Sequence, residues 1–451
     1  MEVRTEAASG SLRTALQAEL AGAGIADHRV PASRKSSPSA WLKRLPAFMG
    51  PGYLIAVGYI DPGNWATDLA AGSGFGYSLL WVIMLSNLMA ILLQILAARL
   101  GIATGLDLAQ ACRAHASPFS AKAQWLVCEI AICACDLAEV IGTAIALDLL
   151  FGIPIAWGVA LTALDVVLVF YLQSRGYRYV EAMVMALLAL IFLCFAAMLV
   201  MAQPAWGEVA RGLIPAKNSV TDPRMLYLAV GISGATVMPH NLYLHSSIVK
   251  QRLVGNGIAE KKEAIRFATA DIVIALLLAF FINASILVMS SAVFHRQGHF
   301  DVAEIQEAHR LMTPLLGTTL ASFLFGLALL ASGHSSTITA TLAGQIVMEG
   351  FLNIRLPAWM RRLLTRSLAI VPALCVAAWY GQSGIGKLLV LSQVVLSLQL
   401  PFAVFPLVRF TSSRARMGQF VSARWVTVLA CAAGLFIAGL NISIMYQIFS
   451  K

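Results

Sequence analysis

Residues 52–74 read GYLIAVGYIDPGNWATDLAAGSG, an apolar stretch long enough to cross a bilayer and broken in its middle by Pro62-Gly63, with Asp61 and Asn64 on either side. Proline has no backbone N–H and disfavours helix in the residue before it, so the chain must leave the α conformation at Asp61. Unpaired backbone groups cost several kcal/mol each in lipid, so such a break is tolerated only where protein or a water-filled cavity covers it. A second stretch, LYLAVGISGATVMPHNLYLHSSIV at 226–249, is interrupted in the same way at Gly234 and Pro239. Aligning the two matches Asp61-Pro62-Gly63-Asn64 with Met238-Pro239-His240-Asn241, each about midway along its span.

The rest of the chain fits that setting. Of its 451 residues 59% are apolar and 12% charged, against about 25% charged in an ordinary soluble domain. This excludes a water-soluble globular enzyme and implies an all-α polytopic membrane protein. Apolar windows fall near 48–72, 77–99, 124–151, 154–172, 179–202, 224–250, 270–295, 317–348, 367–381, 384–408 and 425–448, which makes eleven spans. With the N-terminus inside, 25 of the 32 Lys and Arg fall in inner segments and 7 in outer ones, a strong positive-inside bias. That count places the N-terminus in the cytosol and the C-terminus outside, in a cell membrane. The net charge of +10 is spread over short loops, which argues for orientation in a lipid bilayer and against nucleic acid as a partner. The seven Cys are dispersed, mostly inside apolar runs, and read as packing residues.

Four regions follow. Residues 1–45 form a polar tail expected to be disordered and cytoplasmic; 46–202 hold spans one to five; 203–410 hold spans six to ten; 411–451 hold span eleven. Matched breaks in spans one and six point to a 5+5 inverted repeat plus one extra helix, with spans 1 and 6 unwound at the midplane around a transport site. An aspartate at that depth costs about 2.5 to 3.5 kcal/mol even on insertion scales, so Asp61 needs a compensating partner. The break offers the Asp61 carboxylate, the Asn64 amide, the Met238 thioether and carbonyls one turn earlier at Gly58 and Ala235. A thioether adds little for hard Mg²⁺ or Ca²⁺ and more for softer divalent ions, so Met238 argues for Mn²⁺ or Fe²⁺ while leaving Co²⁺, Ni²⁺, Zn²⁺ and Cd²⁺ open.

Span three carries Glu129, Asp136 and Glu139, at spacings that put all three near one helical stripe. Intramembrane carboxylates mark ion or proton pathways, the alternative being a structural network satisfied by Arg366 or by hydroxyls. His240, next to Pro239, is able to change charge near physiological pH.

The combination of DPGN (61–64) with ATVMPHN (235–241) resembles the Nramp family of divalent metal transporters. The flanking runs FGYSLLW (75–81), LSNLMAILLQILAARLG (85–101), DLAEVIGTAIAL (136–147), PHNLYLHSSIV (239–249) and LVLSQVVLSLQLPFAVFPL (389–407) resemble its bacterial branch. The likeness covers about 46–448. It implies a LeuT-like fold and a metal held by Asp61, Asn64, Met238 and the carbonyls of Gly58 and Ala235, with Gln393 as a further ligand in some conformations. It also ties Asp61, His240, Asp136 and Glu139 to proton transfer, and places Arg366 along the inner route. The magnesium-transporting relatives depart at the methionine of span six, which this chain keeps, so the resemblance implies uptake of Mn²⁺, and of Fe²⁺, coupled to protons. Metal and proton are then cargo, with no resident cofactor and no obligatory protein partner.

Three other readings compete. An amino-acid symporter of the same architecture would place a substrate carboxylate against Asp61 and leave Met238 without a purpose. A divalent cation channel needs only the coordinating groups. A membrane hydrolase would draw on His240 and His245, but their spacing is not HExxH and no activated Ser or Cys motif is present.

Overall fold

The computed structural model describes residues 48–162, 177–215, 221–252, 257–354 and 384–449, with single positions 164, 171 and 360. Among these residues there are helices and connecting turns and no strand. The first crossing is split into α1 (Pro51–Gly58) and α2 (Pro62–Phe75), followed by α3 (Leu80–Thr104), the short α4 (Leu108–His115) and the long α5 (Pro118–Phe151). Then come α6 (Ile155–Leu161), α7 (Tyr177–Ala202) and α8 (Trp206–Gly212). The sixth crossing is split into α9 (Pro223–Val237) and α10 (Pro239–Ile248). After it run α11 (Ile258–Val293), α12 (Ile305–Leu316), α13 (Thr319–Leu352), α14 (Ile385–Thr411), α15 (Arg414–Met417) and α16 (Arg424–Phe449).

Seven of these helices, α3, α5, α7, α11, α13, α14 and α16, are each long and apolar enough to span a membrane unbroken. With the two split crossings they account for nine of the eleven expected spans. The windows at 154–172 and 367–381 lie partly or wholly outside the described residues, as do the expected tail 1–45 and Arg366. Two helices overrun their apolar windows at the N-terminal end, α5 by starting at Pro118 and α11 at Ile258. Hydropathy detects the lipid-crossing part of a helix, whereas backbone hydrogen bonding continues until a cap stops it. For α5 that cap is Ser117, whose side chain accepts from Ser120 N, with Pro118 in the first turn where its missing N–H costs nothing.

The packing has an internal two-fold logic. Equivalent helices of the two halves face each other, α3 against α11 and α5 against α13. Other contacts come in matched pairs: α11 covers both parts of the first crossing as α3 covers both parts of the sixth, and α7 packs on α13 as α14 packs on α5. An odd number of crossings per half inverts the second half, the arrangement expected of an inverted repeat. Helix α16 lies outside this set, against α14 and α9, and presents Leu435 and Ile442 outward, as a lipid-facing appendage should.

The split first crossing is enclosed on every side. Trp65 of α2 is fully buried and meets Phe195 of α7 at 4.9 Å and Phe325 of α13 at 5.1 Å, both edge to face. Pro62 sits against Gly142 of α5, where a Cβ would leave it no room. At the other end, the first N–H groups of the crossing are taken by Asp271 of α11, which accepts from Gly52 N at 2.6 Å and Gly50 N at 3.4 Å. The carboxylate there supplies what a bilayer does not, a partner for the orphan donors of a helix start.

Candidate functional site

Both breaks are built from side-chain substitutes for lost backbone bonds. Asp61 is extended (φ −62°, ψ 160°) and caps α2, its carboxylate accepting from Asn64 N at 2.9 Å and Asn64 Nδ2 at 2.8 Å. The carbonyls released above it find donors from other helices. Tyr59 O accepts from Asn283 Nδ2 at 2.8 Å, and Ile60 O accepts from Trp65 Nε1 at 3.2 Å and from the Ser332 hydroxyl. In the sixth crossing a single residue, Met238, separates α9 from α10 and adopts φ 37°, ψ 97°, a left-handed conformation unusual for a side-chain-bearing residue. Val237 O, freed by that turn, accepts from Tyr59 OH at 3.3 Å, so the two breaks are tied directly.

The sequence-predicted ligands converge. Asn64 Nδ2 also donates to Ala235 O at 3.1 Å, joining the first crossing to the sixth. Gln393 of α14 donates to Asp61 Oδ2 at 3.4 Å and to Ser392 Oγ at 3.0 Å. The Met238 sulfur receives Asn241 Nδ2 at 3.5 Å, and Gly58 packs closely on that same Asn241 amide. Asp61, Asn64, Ala235, Met238, Asn241 and Gln393 are all fully buried. Three amide oxygens here, Asn64 Oδ1, Asn241 Oδ1 and Gln393 Oε1, have no hydrogen-bond partner among the described residues. Buried acceptors without donors are costly. A carboxylate, several amide oxygens, a carbonyl and a thioether buried close together suit a cation of intermediate softness. Among the described residues no three His, Cys, Asp or Glu cluster as a metal site would usually require. The donors that converge here are mostly of other kinds.

The acidic helix lies next to the break. Asp136 and Glu139 are buried on α5 and Glu129 is half-buried nearer its start, so the stripe read from spacing divides into an enclosed pair and a more open member. Glu139 accepts from Cys135 Sγ at 3.7 Å, and Cys135 lies within electrostatic reach of Asp61, Asp136 and Glu139 together. His240, in the first turn of α10, is buried with its Nδ1 unpartnered among the described residues.

Further polar residues complete the surroundings of the site. His245 Nδ1 pairs with Gln94 Oε1 at 2.9 Å, and Gln94 Nε2 donates to Tyr59 OH at 2.6 Å, a polar chain through α3 that ends on the two breaks. The donor assignment makes His245 Nδ1 the protonated nitrogen. Asn283, Ser332 and Thr339 likewise serve carbonyls of the first crossing. Asp68 lies two turns beyond Asp61 on the same helix, a spacing present in the sequence itself.

Comparison with known proteins decides the family. The family model described as natural resistance-associated macrophage protein-like (Nramp) matches residues 52–447. The chain belongs to the Nramp family. Among its Nramp relatives, the divalent metal cation transporter MntH of Xanthomonas campestris is 61% identical over 407 residues, which cover 90% of this chain and 92% of that protein. The protein of the same name from Nostoc sp. is 58% identical over 412 residues, 91% of this chain and 93% of its own length. A crystal structure of the Eremococcus coleocola manganese transporter, in complex with an aromatic bis-isothiourea substituted compound, superposes with a TM-score of 0.86 at 42% identity, covering 94% of this chain and 90% of that one. Mhp1, a nucleobase-cation-symport-1 family transporter, shares the fold alone, with a TM-score of 0.58 at 17% identity over 88% of this chain and 91% of its own. The Nramp chain thus has the LeuT-like fold, is a multi-pass membrane protein, and has relatives named as transporters rather than enzymes.

Proposed function

We propose that this Nramp protein imports divalent transition-metal ions, chiefly Mn²⁺, across the cell membrane by proton-coupled alternating access, with its N-terminus in the cytoplasm and its C-terminus outside. The observation that carries this reading is the meeting of the two helix breaks, where Asp61, Asn64, Ala235 and Met238 are buried together beside amide oxygens that have no hydrogen-bond partner among the described residues. The names of the MntH relatives and of the manganese transporter agree with it.

In this reading Asp61 supplies the charge that offsets the ion's desolvation, Asn64 and Gln393 supply amide oxygens, and Met238 disfavours the hard ions. Metal capture requires the ionised carboxylate, so a proton carried on Asp61 leaves as the ion arrives. Asp136 and Glu139 on the adjacent α5, with His240 at the start of α10, are the groups positioned to take it onward, and Glu129 continues that helix toward the cytoplasmic end. The full burial of the site's residues fits a step between outward and inward access. The Tyr59–Val237 bond and the Gln94–His245 pair are the contacts that opening would break.

Uptake of Mn²⁺ and Mg²⁺ into proteoliposomes under an imposed proton gradient tests this. Asp61→Ala is expected to abolish uptake, and Asp136→Asn with Glu139→Gln to remove its dependence on the proton gradient. Uphill accumulation in the wild type separates a symporter from a channel. Uptake that survives Asp61→Ala would overturn the site, and pH-dependent uptake that survives the α5 double variant would overturn the proton route.

A further inference from the structure

We propose that Asp68 is a second cation station, which receives the divalent ion on the outer side of Asp61 before it reaches the breaks. This rests on the transport reading and the orientation given above. Asp68 lies in α2, is 1% exposed, and neither of its oxygens has a hydrogen-bond partner among the described residues. No ion pair to it is formed there either. A carboxylate enclosed in this way is among the costliest groups a membrane helix can carry, and nothing in its packing compensates it. Buried ionisable groups that no structural role explains belong to a pathway or a ligand.

Its placement says which ligand. Seven residues past Asp61 is two helical turns, so the two carboxylates lie on one face, about 10 Å apart along α2. Asp61 is within electrostatic reach of Asp68. Around the helix, Asp68 falls between Asn64, which bonds Ala235 of α9, and Gly72, which lies against Leu287 and Ser290 of α11. It therefore lies on the side of α2 that packs on α9 and α11, inside the bundle. Helix α9 carries a buried hydroxyl without a partner among the described residues, Thr236 Oγ1. A dication leaving water for Asp61 must be stripped of solvent. A second carboxylate two turns ahead lowers the potential along that path and offers oxygens partway, which favours capture at low external concentration.

The test uses the full chain, with Mn²⁺ alone as the binding probe. In proteoliposomes Asp68→Asn is expected to raise the KM for Mn²⁺ about tenfold, the scale of one carboxylate acting on a dication across an intermediate dielectric, while lowering the maximal rate much less. Asp68→Glu is expected to restore most of the loss. By calorimetric or spin-resonance titration, Asp61→Ala protein should retain weak Mn²⁺ binding that disappears when Asp68→Asn is added. An unchanged KM would overturn the proposal, as would a loss of uptake at every concentration that glutamate does not rescue. Residual binding indifferent to Asp68→Asn would overturn it as well. If the wild type takes up no Mn²⁺ the transport reading fails on its own, and the titration still decides whether Asp68 holds the ion.

Discussion

At Met238 the structure reverses an ordinary rule of substitution. Its φ of 37° and ψ of 97° place a side chain where most L-residues are strained, at a cost of about 1 to 3 kcal/mol. Replacing the side chain with alanine keeps that strain, whereas glycine removes it. In a regular helix glycine is worse than alanine by about 0.5 to 1 kcal/mol, because it loses more freedom on folding. Here the sign inverts, and Met238→Gly is expected to be about 1 kcal/mol more stable than Met238→Ala, from strain relief less the entropy term. Both should fall below the wild type, since each removes a fully buried side chain at about 2 to 5 kcal/mol by soluble-core experience. Thermal and chemical unfolding in detergent, followed by tryptophan fluorescence, reads the order wild type, then glycine, then alanine. The transport readout runs differently, because both variants lack the sulfur and should lose their preference for Mn²⁺ over Mg²⁺ to the same extent. An alanine variant as stable as the glycine one would show that no strain is held at the break. An unequal loss of preference would assign ion selection to the backbone turn instead of the thioether.

Other outcomes follow from the same geometry. Gly234→Ala would drive a methyl into the Gln393 carbonyl and the backbone N of Ser397; rigid backbone cannot yield as a side chain does, so a loss of about 1 to 3 kcal/mol and reduced uptake are expected, read by melting and Mn²⁺ flux. Asp271→Ala leaves the first N–H groups of α1 without an acceptor, and a loss of about 0.5 to 2 kcal/mol by the scale of helix caps, with increased hydrogen exchange across α1, is the expected result. Glu304, in the connection before α12, is held above the usual carboxylate range by burial, against which Gly386 N–H donation at 2.7 Å works in the other direction. A carboxyl raised by folding favours the native state at low pH and loses that contribution as pH climbs through its folded value. Glu304→Gln should therefore be more stable than the wild type at pH 7, with the difference vanishing toward pH 4 in a melting series.

The order of the spans, the place of both breaks and most of the candidate donors were legible in the chain because each depends on local chemistry. Apolar length marks a crossing wherever it occurs, and Pro62 and Pro239 forbid continuous helix whatever surrounds them. Asp61 and Asn64 are three residues apart, so their mutual cap follows from helix geometry alone. Other features depend on direction and distance between helices far apart in sequence. That Asn64 reaches Ala235, that Tyr59 bonds Val237 and that Gln94 links Tyr59 to His245 follow from how α2, α3, α9 and α10 are stacked. The same holds for the division of the acidic stripe on α5 and for the isolation of Asp68, since equal spacing along a helix says nothing about which neighbour covers each face. Sequence alone thus determined where the backbone must open. Only tertiary packing decided which groups close around the openings, because a buried polar atom is satisfied or stranded by neighbours that the fold brings to it from other helices.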